Sequence, residues 1–132
     1  MSVSKVVLSN KNYTAEAKVR NHYNSIDEPV ALGGDDNGPT PGEYLLTALG
    51  GCVSITLRMY AERKGWDLGK ITVNISQRTE QMNDVIQQVF VEDITFEKEP
   101  TQEQKERLKV IAGKCPVAKI IKGENKIESY IS

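Results

Sequence analysis

The fifteen residues "LTALGGCVSITLRMY", Leu46 to Tyr60, decide how the chain is read. They predict a helix, and an apolar one, yet two glycines stand in its middle directly before a cysteine. Each glycine in a helix interior costs about 1 kcal/mol relative to alanine. Something other than helix propensity must favour Gly50 and Gly51 there. Their missing side chains would let another backbone or a small ligand come close to the Cys52 sulfur.

Working outward, Thr40 is the expected N-cap of this helix, with Pro41 in the first turn. Glu43 completes a capping-box spacing with Thr40. Gly65, after Lys64, is the expected C-cap. Leu45, Leu49, Cys52, Thr56 and Met59 follow helical spacing, and Leu46, Val53, Ile55 and Leu57 cover much of the remaining surface. A helix apolar nearly all round is normally buried. One face of one small sheet cannot cover it, so a second subunit is the expected partner and the helix is expected at or near a homodimer interface.

Upstream, "VSKVVLS" and "YTAEAKVR" read as strands, the second alternating Tyr13, Ala15, Ala17 and Val19 with polar residues. A further strand is expected around His22 to Ile26. His22 and Arg20 would share a strand face, and His22 is read as a surface histidine. "EPVALGGDDNGPTPG" has loop composition. Its acidic residues do not match a calcium-binding loop, because Gly33 and Tyr44 would fall on ligand positions. It also lacks the Gly-Lys-Ser/Thr ending of a phosphate loop.

Downstream, "KITVNISQRTE" and "DVIQQVFVEDITFE" predict a β-hairpin. "EPTQEQKERLKVIAGK" predicts an amphipathic helix capped by Thr101, with Leu108, Ile111 and Ala112 on its apolar stripe. "CPVAKIIKG" predicts one or two more helical turns, and "KIESYIS" a final strand. The fold class expected is α+β with an antiparallel sheet and a long apolar central helix. The 132 residues are expected to form one domain, 1–132.

Composition excludes several functions. Seventeen basic against eighteen acidic residues leave a net charge of −1, without the basic excess of nucleic-acid binders. The N-terminal residues lack the apolar segment of a signal peptide, and the uncharged run Tyr44 to Leu57 is shorter than a membrane span needs. A cytoplasmic protein is expected, with no nucleic-acid or membrane partner. With two cysteines and one histidine, no structural metal site is expected. In a reducing compartment Cys52 and Cys115 are either two buried thiols or a redox couple. On local grounds Cys52 reads as a small core residue or as a thiol needing a positive side chain beside it. Cys115 precedes a proline at a helix start, between Lys114 and Lys119. That setting suits either a partly exposed, acidified thiol or an inert cap.

"GPTPGEYLLTALGGCVSITLRMYAERKGW", followed by "KCPVAK", resembles the OsmC/Ohr family of osmotically inducible and organic-hydroperoxide-resistance proteins, from about Arg20 to the C-terminus. The resemblance implies an OsmC-like fold, its sheet wrapped around the central helix, in an intertwined homodimer with active sites at the subunit interface. It also implies a thiol peroxidase reducing organic hydroperoxides, with Cys52 as peroxidatic and Cys115 as resolving cysteine. By the same resemblance Arg20 is the activating arginine, with Arg58 as the fallback, and Glu43 orients it. No cofactor is implied beyond an external dithiol reductant, of lipoyl type. Two rival readings use the same fold: a non-catalytic small-ligand-binding stress protein, and a thiol redox sensor.

Overall fold

The computed structural model describes residues 2–132, in two compact units divided between Leu45 and Leu46.

In the first unit, β1 (Ser4–Leu8), β2 (Ala15–Val19) and β3 (His22–Ile26) form an antiparallel sheet in the order β1-β2-β3. Val6 pairs with Ala17, and Ala17 with Asn24. The expected alternation on β2 is present, Ala17 being buried while Glu16 and Lys18 are exposed. The strand stops at Val19, earlier than the alternation suggested. Arg20 and Asn21 make the two-residue turn into β3, and Arg20 takes a left-handed backbone with φ 53°. Arg20 and His22 therefore do not share a strand face.

The loop after β3 is built around Asp27, which is 1% exposed. Its carboxylate accepts from the Thr14 hydroxyl at 2.7 Å and from the backbone N–H groups of Glu28, Asp35 and Asn37 at 2.7, 3.3 and 3.1 Å. Burial pushes the Asp27 pKa up, but these four donors outweigh it and hold the carboxyl below its ordinary value. Gly34 is required by this packing, because a Cβ there would stand 2.0 Å from the Glu28 carbonyl oxygen. A short 3-10 turn occupies Val30–Leu32.

The helix α1 (Pro41–Lys64) starts where the capping box predicted. The Glu43 N–H donates to the Thr40 hydroxyl at 3.1 Å, and the Glu43 carboxylate accepts from the Thr40 N–H at 2.8 Å. It ends at Gly65, φ 71°, with Gly65 N–H bonded to Glu62 O and Trp66 N–H to Ala61 O. That is the left-handed glycine cap foreseen.

The second unit carries the core. Leu49, Val53, Leu57, Tyr60 and Ala61 of α1 are buried with Leu68, Leu108, Ile111, Ala112, Cys115 and Ala118. Full burial of Leu57 and Val53 contributes about 1.5–3 kcal/mol each. The long hairpin of β4 (Ile71–Met82) and β5 (Val85–Phe96) turns at Asn83 and Asp84. Its register pairs Ile71 with Phe96, Val73 with Ile94 and Ile75 with Glu92. These apolar residues face the core, and Glu92 takes an inward position among them. Two further helices follow, α2 (Gln102–Ala112) and α3 (Pro116–Lys122). Thr101 and Gln104 form a second capping box, ahead of α2.

Two expectations change. The final strand over "KIESYIS" does not form: no strand pairs with it, and Ile127, Tyr130 and Ile131 are 88%, 87% and 98% exposed. A strand needs a neighbour to satisfy its backbone groups. Nor is α1 buried all round, since within this chain Leu45, Ile55 and Met59 stay exposed. Although α1 is long and apolar enough by composition to cross a membrane, its buried face carries the core.

Candidate functional site: a cysteine pair in the second unit

Cys52 sits midway along α1, one residue before the buried Val53, and is half-buried against the core. Cys115 caps α3, its sulfur accepting from the Ala118 N–H at 3.3 Å, with Pro116 at the first helical position. The fold brings these two cysteines, 63 positions apart in sequence, into interaction, and both are free thiols.

Cys115 is not the partly exposed, acidified thiol that its flanking lysines allowed. It is 0% exposed, and Lys114 and Lys119 point to solvent. Burial pushes its pKa up, and the neighbouring Cys52 pushes the same way. The Ala118 and Val117 N–H groups oppose them and lose. Of the pair, Cys115 is held as neutral thiol.

The two glycines do different things. A Cβ on Gly50 would stand 3.3 Å from Ile75 Cγ1, so Gly50 lets β4 pack closely on α1, whereas a Cβ on Gly51 would meet nothing within 4 Å. Close approach of a neighbour is thus met at Gly50 by a strand side chain, and open space remains at Gly51. A cleft of about 660 Å³ in the same unit, which neither cysteine lines, is bordered by Leu49, Phe90, Glu92, Gly113, Ala118 and Ile121. Sequence reasoning passed over Glu92. Its signal was the period of two in Phe90, Glu92, Ile94 and Phe96, which puts a carboxylate on an apolar strand face. Burial raises its pKa, only partly offset by Lys122.

The other two named residues lie in the first unit. Arg20, exposed on its left-handed turn, makes no ion pair or hydrogen bond among the described residues. Glu43 is engaged in the capping box with Thr40. Arg58 is tied to the Gly69 carbonyl at 2.7 Å. Among the described residues no group of three or more His, Cys, Asp or Glu is placed to hold a metal ion.

The comparisons agree with this architecture. The family profile described as "OsmC-like protein" matches residues 33–129. No curated protein is significantly similar in sequence. Among solved structures, a Psychrobacter arcticus protein proposed to act in the osmotic stress and detoxification response superposes with a TM-score of 0.76 at 24% identity, over 91% of this chain and 88% of that one. The Legionella pneumophila organic hydroperoxide resistance protein OsmC gives 0.70 at 14% identity, over 93% and 90%. The Bacillus subtilis organic hydroperoxide resistance protein OhrB gives 0.65 at 14%, over 93% and 91%. At these identities the likeness is one of fold.

Proposed function

The chain belongs to the OsmC-like protein family, and on that premise we propose that it is a thiol-dependent peroxidase reducing organic hydroperoxides. The observation that carries the proposal is the pairing of a half-buried Cys52 with a fully buried Cys115 in an apolar core. Solved structures of the same fold that bear the name organic hydroperoxide resistance protein support it.

The chemistry proceeds in three balanced steps. The Cys52 thiolate attacks the outer peroxide oxygen and the O–O bond breaks. The leaving alkoxide takes a proton and departs as an alcohol, while Cys52 becomes a sulfenic acid. The Cys115 sulfur then attacks the Cys52 sulfur, and the expelled hydroxide takes the Cys115 proton and leaves as water. An external dithiol, of lipoyl type, supplies two electrons and two protons to restore both thiols. No metal or bound cofactor takes part in the proposal.

Arg20 and Glu43 enter on the sequence resemblance. A guanidinium beside Cys52 would favour its thiolate and stabilise charge on the departing oxygen. A homodimer completes the proposal, supported by the exposed apolar side chains of α1 and by the unpaired, apolar C-terminal residues. The compartment proposed is the cytoplasm, where free thiols persist.

The test is steady-state consumption of cumene hydroperoxide with dihydrolipoamide as reductant, in wild type, Cys52→Ser and Cys115→Ser. Turnover should vanish with Cys52→Ser, and Cys115→Ser should complete one reduction and stop. Wild type without turnover, both thiols remaining free, would overturn the proposal.

A further inference from the structure

Away from the cysteines, the C-terminal end of α1 and the adjoining α2 gather three cations around one aromatic ring. The Arg63 and Arg107 guanidinium carbons and the Lys64 ammonium lie 5.8, 5.7 and 5.7 Å from the centre of the Tyr60 ring. The Arg107 Nε–H also donates to the Tyr60 hydroxyl at 3.0 Å. Tyr60 is fixed in turn by the core and by an edge-on contact with Trp66, ring centres 5.5 Å apart.

The ordinary account covers part of this. Cations in the last turn of a helix satisfy its unpaired carbonyls and dipole, which explains Arg63 and Lys64. It does not explain Arg107, which comes from the middle of α2. Glu103 stands four residues before Arg107, the favourable order for a helix ion pair. Arg107 turns to Tyr60 instead, and its two Nη groups have no partner among the described residues. Among the described residues none of the three cations is ion-paired with a carboxylate. Three like charges near one ring, none in a direct ion pair although Glu103 and Glu106 line the same groove, leave donor capacity that an anion would take up. Beside them lies a groove of about 700 Å³, lined by Tyr60, Lys64, Trp66, Arg107 and the first turn of α2.

We propose that this groove binds a compact soluble phosphate-bearing molecule, its phosphate or diphosphate held by the free guanidinium edge of Arg107 with Lys64. The guanidinium fork matches phosphate oxygens, and the ammonium adds a point charge. Glu103 and Glu106 also line the groove, and their like charge disfavours a long polyanion laid along α2 relative to a compact one. The site is independent of the peroxidase reading.

Trp66 is the only tryptophan in the chain, so its fluorescence reports on the groove directly. Titration with inorganic pyrophosphate should change Trp66 emission saturably, whereas sodium chloride at matched ionic strength should not. Lys64→Gln and Arg107→Gln should each weaken the response about ten-fold, one missing charged contact. Lys64 is exposed, so Lys64→Gln keeps the test valid should Arg107→Gln disturb Tyr60. Absence of a saturable change, or equal affinity in wild type and Lys64→Gln, would overturn the proposal. So would sedimentation of the protein with phosphatidylglycerol vesicles without any response to pyrophosphate, which would assign the cations to a lipid headgroup.

Discussion

Cys52 lies against Cys115, and it is the one other side chain among the described residues that shifts the Cys115 thiol. Burial acts first and Cys52 adds to it, so the two sulfurs differ by environment rather than by type. The half-buried cysteine is the one that reagents reach. The buried one is harder to deprotonate than an ordinary thiol, because burial raises its pKa.

This division should be visible in alkylation. With iodoacetamide at neutral pH, Cys52 should be modified at least about ten times faster than Cys115 in the folded protein. Peptide mass spectrometry over a time course checks it. Denaturant should make the two rates similar. Equal rates in the folded state would contradict the burial of Cys115.

Asp27 should give the fold an acid limb. Its folded pKa lies below the ordinary value of 3.8, so its contribution is present above that value and is lost as pH falls through the folded pKa. Asp27→Asn should lower stability at neutral pH and flatten the dependence below about pH 4. Urea midpoints measured from neutral to acid pH decide it, and parallel curves for the two proteins would refute it.

At Arg20 stability and activity should move in opposite directions. Arg20→Gly removes a side chain from a left-handed turn that disfavours it, so the variant should gain about 0.5–1 kcal/mol in urea unfolding. Under the proposed function it should also lose most of its hydroperoxide turnover. A variant that is more stable and fully active would remove Arg20 from the mechanism.

The two glycines before Cys52 should respond differently to alanine. Gly51→Ala meets open space and should stabilise the folded chain by up to about 1 kcal/mol through helix propensity. Gly50→Ala gains the same propensity but crowds Ile75, so it should fall about 1 kcal/mol or more short of Gly51→Ala. Thermal unfolding of the pair measures the difference. A destabilised Gly51→Ala would mean that another molecule, in our proposal the second subunit, fills that space.

Glu92 is the inward carboxylate of β5, and its pKa is raised by burial. A raised carboxyl favours folding below its unfolded pKa, and that contribution is lost as pH rises through the folded one. Glu92→Gln should therefore stabilise the protein at neutral pH, by only about 0.5 kcal/mol because the group is partly exposed and water screens it. A melting temperature unchanged or lowered at neutral pH, where the carboxyl would be charged, would count against this.

Local signals along the chain determined where α1 begins and ends and where most strands lie. Thr40, Pro41 and Glu43 started α1, Gly65 stopped it, and period-two apolar residues marked β2, β4 and β5, because caps and strand faces depend on residues a few positions apart. The same local order, together with the two cysteine motifs, made the family legible. What lies across long separations was decided only by the tertiary structure. Local sequence left Cys115 equally suited to exposure or burial, and the core closed over it. It offered "KIESYIS" as a strand, and no strand pairs with it. It gave no warning that Asp27 would organise a loop through donors from Thr14 to Asn37, or that Arg107 would turn from Glu103 to Tyr60. The reason is physical: burial and long-range hydrogen bonding depend on which distant residues share the space, and a local pattern carries no term for them.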